Sequence, residues 1–74
     1  MSSEHPITRY RSRHGLSQSD FGALLGVSDA AVSRWETGQR VPLMAMMWRI
    51  EAATGGEVTF AELAALARAE GEKA

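Results

Sequence analysis

Apolar residues recur three and four positions apart along most of this 74-residue chain, the spacing of helix faces turned toward a core. Ile7 and Tyr10 share a face of a first predicted helix over residues 6–13. Pro6 suits its first turn, where a missing N–H costs nothing, and Gly15 stops it by taking the left-handed conformation. Phe21, Leu24 and Leu25 mark a second helix, capped by Ser17 with Asp20 three residues on and ended by Gly26. Gly22 inside it costs up to ~1 kcal/mol against alanine, and a close crossing helix would account for it. Ala31, Val32 and Trp35 line a third helix over residues 29–37, capped by Ser28, opened by Asp29 at the positive end of its dipole and closed by Gly38. A loop over residues 39–42 follows. Met44, Met47 and Trp48 share a face of a fourth helix over residues 43–54, with Ile50 adjacent. Gly55 and Gly56 break the chain. Thr59 and Glu62 then form a capping box for a fifth helix over residues 60–70, whose apolar face is Phe60, Leu63, Ala64, Leu66 and Ala67. No segment reads as a strand. The expected class is all-α: one compact five-helix domain over residues 1–74, with residues 1–5 and 71–74 as frayed tails.

Residues 16–38, LSQSDFGALLGVSDAAVSRWETG, therefore read as helix, tight glycine turn and helix. That is the layout of a DNA-binding helix-turn-helix, whose second helix enters the major groove. Composition changes this picture in two ways. The chain has no cysteine, which excludes disulfides and thiolate metal sites, and it has neither an 18-residue apolar run nor a secretory h-region. A cytoplasmic protein is expected. The formal net charge of −1 is low for a binder of phosphates, but the charge is uneven. Through Arg49, six arginines face four carboxylates, whereas from Ile50 onward two cations face five. The helix-turn-helix lies in the basic part, and a dipolar chain can still turn one face to DNA.

Gln18, Gly26, Val32, Trp35, Glu36, Gly38 and Pro42 fall together at a spacing that resembles the phage repressor and Cro-like, or XRE-type, helix-turn-helix regulators. The resemblance covers Ile7 to about Leu66 and implies a lambda-repressor-like domain. More loosely, Met44, Met47, Trp48 and Ile50 fall at that family's fourth-helix core positions. Three departures stand out: Glu51 where a small inward residue is usual, a longer turn at Gly55-Gly56-Glu57, and a single loop cation, Arg40.

By this resemblance Ser28, Asp29, Ala30, Ser33 and Arg34 face base edges. Arg34 carries two parallel donors that match guanine O6 and N7; its other reading is a phosphate contact or an ion pair near Glu36. Asp29 can accept from cytosine N4, and equally serves the helix dipole. Ser17, Gln18, Thr37, Gln39 and Arg40 stand where phosphates are contacted, with capping for Ser17 and solvated surface for Gln18 and Arg40 as the plainer readings. Arg9 and Arg13 add long-range attraction or remain solvated. The resemblance also implies an ion pair between Arg11 and Glu36 that orients the reading helix without touching DNA. Trp35, Trp48, Phe21 and Phe60 are expected in the core. Met46, Phe60, Leu63 and Leu66 are the expected dimer contacts, with core cover as the alternative for the fifth helix.

His5 and His14 have no partner at metal spacing, and no nucleophile–base pair or phosphate-cradling loop is present, so no enzyme activity, metal or cofactor is expected. The expected function is a transcriptional regulator of double-stranded DNA, a homodimeric repressor reading an inverted repeat. The alternatives are an autoregulating antitoxin with a toxin partner, a Cro-like anti-repressor, and an interaction module that has lost DNA binding.

Overall fold

Polar side chains set most of the helix starts. The computed structural model describes residues 4–73, with side chains through residue 69, and contains α1 (Pro6–His14), α2 (Gln18–Leu25), α3 (Asp29–Thr37), α4 (Met44–Ala53) and α5 (Phe60–Lys73). Ahead of α2, Ser17 Oγ accepts from the Asp20 N–H at 2.9 Å and the Asp20 carboxylate accepts from the Ser17 N–H at 3.1 Å. Ser28 Oγ accepts from the Ala31 N–H at the start of α3. Thr59 and Glu62 form the expected reciprocal box at the start of α5. Each such cap satisfies a donor that a helix start would otherwise leave unpaired.

Two helix ends differ from expectation. His5, expected in a frayed tail, caps α1: its Nδ1 accepts from the Ile7 N–H at 3.1 Å. α5 continues through Lys73 instead of ending near residue 70. Of the expected tails, residues 1–3 and 74 lie outside the described residues.

The five helices close on one core of Ile7, Phe21, Leu25, Val32, Trp35, Met47, Ile50, Val58 and Leu63. The radius of gyration, 11.4 Å, is that of a tightly folded chain of this length, about 11 Å. Thr54, buried at the end of α4, ties the turn to α5: its hydroxyl donates to the Ile50 carbonyl at 2.8 Å and accepts from the Val58 N–H at 3.1 Å. Glu51, where a small inward residue was the family expectation, turns its carboxylate onto the Phe60 N–H at 2.7 Å. No helix among the described residues is long and apolar enough to cross a membrane.

Several apolar expectations need correction. Leu24, Met44 and Trp48 are 52%, 67% and 56% exposed. Periodicity identifies a stripe but not its rotation. On α4 the inward line runs through Met47 and Ile50, one step round the helix from Met44 and Trp48. Trp48 covers one ring face by stacking on Phe60, with centroids 4.1 Å apart, and leaves the other to solvent. Leu63 is enclosed in the chain's own core, and Met46 is half-buried against it. Phe60 is half-buried under Trp48. Of the four expected dimer contacts, Leu66 alone is among the exposed large hydrophobics.

Gly22 also has a different cause from the one expected. A Cβ there would lie 2.5 Å from the Val27 carbonyl oxygen. The close neighbour is the backbone of the turn itself and not a crossing helix.

Candidate nucleic-acid interface

The second helix of the motif, α3, is oriented by a polar network at its C-terminal end. Glu36 accepts from Arg11 Nε at 2.6 Å, from Arg11 Nη2 at 2.8 Å and from Gln18 Nε2 at 3.1 Å. Arg11 also donates through Nη1 to the Leu16 carbonyl at 3.1 Å. One carboxylate thus joins α1, the start of α2 and the end of α3. The Arg11 and Glu36 side chains are 18% and 8% exposed. Burial alone would raise the Glu36 carboxyl, but the hydrogen bonds from Arg11 and Gln18 and the Arg11 charge hold it below the ordinary carboxylate value. The expected Arg11–Glu36 pair is therefore present, and Gln18 is part of it.

Two further positioning residues were not legible in the sequence. Arg49 Nη2 reaches back from α4 to the Leu25 carbonyl at 2.8 Å. It places a cation at the negative end of α2, where the turn begins. His5 holds the start of α1, and with it the register of Arg11. Their partners are 24 residues away for Arg49 and only two for His5, but no local pattern marks a histidine as a cap.

The groove-facing candidates divide by commitment. Asp29, Ala30 and Arg34 are exposed on α3, and Ser33 is half-buried. The Ser28 hydroxyl oxygen is engaged as the cap of α3. Thr37 sends its hydroxyl back to the Ser33 carbonyl at 3.0 Å, which removes its donor from outward use. Gln39 and Arg40 are exposed beyond α3. The structure brings Arg34 and Arg40 to one surface depression, also lined by Ala31 and Trp35, and the Arg40 N–H donates to the Arg34 carbonyl at 3.1 Å.

Ion pairing sorts the arginines. Arg9 pairs with Glu62 at 3.0 Å, Arg11 with Glu36, and Arg13 approaches Glu57 at 3.8 Å. His14 also meets Glu57 at 3.0 Å. The suggested long-range attraction of Arg9 and Arg13 is offset by these carboxylates. Arg34 and Arg40 form no ion pair among the described residues, so the alternative pairing of Arg34 near Glu36 is not realised. Arg34 and Arg40 thus lie together at the end of α3 without a carboxylate partner among the described residues, where a chain of net charge −1 can still present a positive surface.

His5 makes the stability of this assembly sensitive to pH. Burial lowers its pKa below the ordinary 6.5; Glu36 opposes and Arg9 reinforces the shift. Neutral His5 accepts from the Ile7 N–H, whereas the imidazolium has no acceptor and carries positive charge at the positive end of α1. A depressed pKa contributes stability that is present above 6.5 and lost as pH falls through the folded value. His5→Asn, which caps without titrating, is expected to flatten the melting temperature across that window. An equal slope in both proteins would exclude His5 as the source.

A family model described as helix-turn-helix matches residues 7–63, from the buried Ile7 of α1 to the buried Leu63 of α5. No curated protein and no solved structure matches the chain. With caps, turn and buried network all on the elements that the match spans, the chain belongs to the XRE/Cro-like helix-turn-helix family of DNA-binding transcription regulators.

Proposed function

We propose that the chain is a repressor that reads an inverted-repeat operator as a homodimer. Ser28, Asp29, Ala30, Ser33 and Arg34 face the base edges, and Ser17, Gln18, Thr37, Gln39 and Arg40 meet the phosphates. The observation that carries this reading is the pair of unneutralised arginines, Arg34 and Arg40, sharing one depression at the end of α3. Arg34 is the base reader because it is exposed, lies within the helix and has no competing carboxylate. Arg40 follows the helix and meets the backbone. Gln18 commits one amide hydrogen to Glu36 and keeps the second for a phosphate, so the same residue orients α3 and anchors α2. Thr37 meets a phosphate by turning its hydroxyl hydrogen outward from the Ser33 carbonyl.

Fluorescence anisotropy against duplex DNA from upstream of the chain's own gene tests this, with a scrambled duplex as control. Tight binding that prefers the native duplex is expected. Arg34→Ala is expected to cost about 1–3 kcal/mol per half-site and to relax the preference. Arg40→Ala should weaken both duplexes alike and reduce the salt slope by about one for each protomer. Loss of preference in the Arg40 variant, with none in the Arg34 variant, would reverse the two assignments. Equal binding of the native and scrambled duplexes by the unaltered protein would overturn operator recognition upstream of the gene.

A further inference from the structure

Two hollows meet between the start of α1, the end of α3 and α5. The larger is an open groove of about 520 Å³. Pro6, Ala65 and Leu66 supply its apolar lining, and Glu4, Glu36 and Glu62 supply carboxylates. Among the described residues no lysine or arginine lines it. The smaller is a mostly apolar recess of about 30 Å³ between Trp35, Val41, Pro42 and Leu63, with Arg40 as its one lining cation. His5, Gly38 and Leu66 line both, so the recess adjoins the groove. The α5 stripe that buries Leu63 is uncovered three residues on, where Leu66 is 37% exposed. The carboxylates differ in commitment. Glu36 is held by Arg11 and Gln18. Glu62 meets Arg9 at 3.0 Å with both side chains well exposed, and such a surface pair is worth little, so a cation from outside can take its place. Glu4 is exposed and forms no ion pair among the described residues. His5 is kept neutral by burial and adds no opposing charge at neutral pH.

From these observations we infer that the groove docks a segment of a partner protein in which an apolar side chain is followed by arginine or lysine. The apolar side chain covers Leu66 and enters the recess beside Trp35 and Pro42, and the cation meets Glu4 and Glu62. Charge selects this occupant. Duplex DNA would bring its phosphates against three carboxylates. A second copy across a two-fold axis would set Glu4 and Glu62 near their own counterparts. A small cation without an apolar part would leave the recess and Leu66 wet. The two halves of the site do different work: covering Leu66 and the recess removes apolar surface from water, while the carboxylates fix the direction of the segment and steer its approach. Arginine suits the groove better than lysine, because its planar fork can take a carboxylate with two parallel donors. Thr37 and Gly38 also line the groove. On the operator reading proposed above, a docked segment therefore stands beside the phosphate contacts, although the docking itself does not depend on that reading.

The test is titration of the isotope-labelled full chain with short capped peptides, followed by backbone amide shifts. In these peptides one leucine stands one, two or three positions ahead of a pair of arginines. At least one spacing is expected to bind saturably, moving the amides of His5, Gly38 and Leu66 and leaving those of Ala45 and Trp48 on α4 in place. Glutamates in place of the arginines, or serine in place of the leucine, should abolish saturation. Glu4→Gln combined with Glu62→Gln should raise the peptide Kd by roughly fivefold. Glutamine can keep the capping contact with the Thr59 N–H, so the helical signal and melting midpoint should hold. Leu66→Ala should raise the Kd by roughly tenfold. Failure of all three spacings to saturate, or equal binding by the double glutamine variant, would overturn the inference. So would movement of the same amides with protein concentration alone, which would give the groove to a second copy. Duplex binding is read separately by anisotropy. A chain that binds the peptide and no duplex would lose the operator reading and keep the groove; one that prefers its native duplex and binds no peptide would do the reverse.

Discussion

Glu36→Ala is expected to cost about 3–5 kcal/mol of stability, the range found when one partner of a buried pair is removed. The carboxylate is 8% exposed and accepts three hydrogen bonds, two from Arg11 and one from Gln18. Alanine leaves a largely buried guanidinium with two unpaired N–H groups and an amide with one. It also frees three elements, because α1, α2 and α3 meet at this group. For a domain of this size, each kcal/mol shifts the melting temperature by about 4–8 °C, so a fall of at least about 12 °C is expected in a thermal melt at neutral pH. A double-mutant cycle separates the pair from its parts. Arg11→Met together with Glu36→Ala should lose less than the two single losses added, since neither charge is then buried alone. An unchanged midpoint for Glu36→Ala would refute the structural role. The same group predicts an acid limit. Its folded pKa lies below the ordinary 4.5, so its contribution is complete above that value and is lost as pH falls through the lower, folded one.

Gly22→Ala is expected to destabilise the chain by about 1–3 kcal/mol, the usual result of forcing a methyl group into filled space, although alanine is the better helix former by up to ~1 kcal/mol. The added Cβ would stand 2.5 Å from the Val27 carbonyl oxygen and 3.3 Å from Ser28 backbone atoms. These are main-chain atoms and cannot rotate aside. The Gly22 carbonyl accepts from the Val27 N–H at 2.9 Å, so moving Val27 breaks the hydrogen bond that closes the turn. Relief of the clash must tilt α3 against α2. Two measurements follow from this. The melting temperature should fall, and the folded variant should bind the native duplex less selectively, because the reading helix enters at another angle. A variant more stable than the parent would show that the turn yields freely and that the glycine is not required by contact.

The helices themselves were readable from local chemistry. Caps at Ser17, Ser28 and Thr59 act within three residues, so the sequence states them directly, and the observed starts of α2, α3 and α5 follow. Gly26 turns with φ +73° between α2 and α3, as its place between two helical stripes requires. The Arg11–Glu36 pair is separated by 25 residues and was accessible only through family resemblance. The contacts of Arg9 with Glu62 and of Arg49 with the Leu25 carbonyl, 53 and 24 residues apart, had no sequence signal, because any exposed arginine of α1 or α4 reads alike.

Sequence by itself determined the helix-turn-helix and the class of partner, since capping and periodicity are short-range and the spacing of Gln18, Trp35, Glu36 and Gly38 is specific. Tertiary structure alone decided which cations remain free for that partner and which apolar residues remain outside. Neutralisation of α1 by Glu57 and Glu62 depends on where the α4–α5 turn and α5 lie. The exposure of Met44 and Trp48 depends on the rotation of α4, which the fit of Met47 and Ile50 into the shared core sets. A helical stripe records the period of burial; its direction is settled only when all five helices compete for one core.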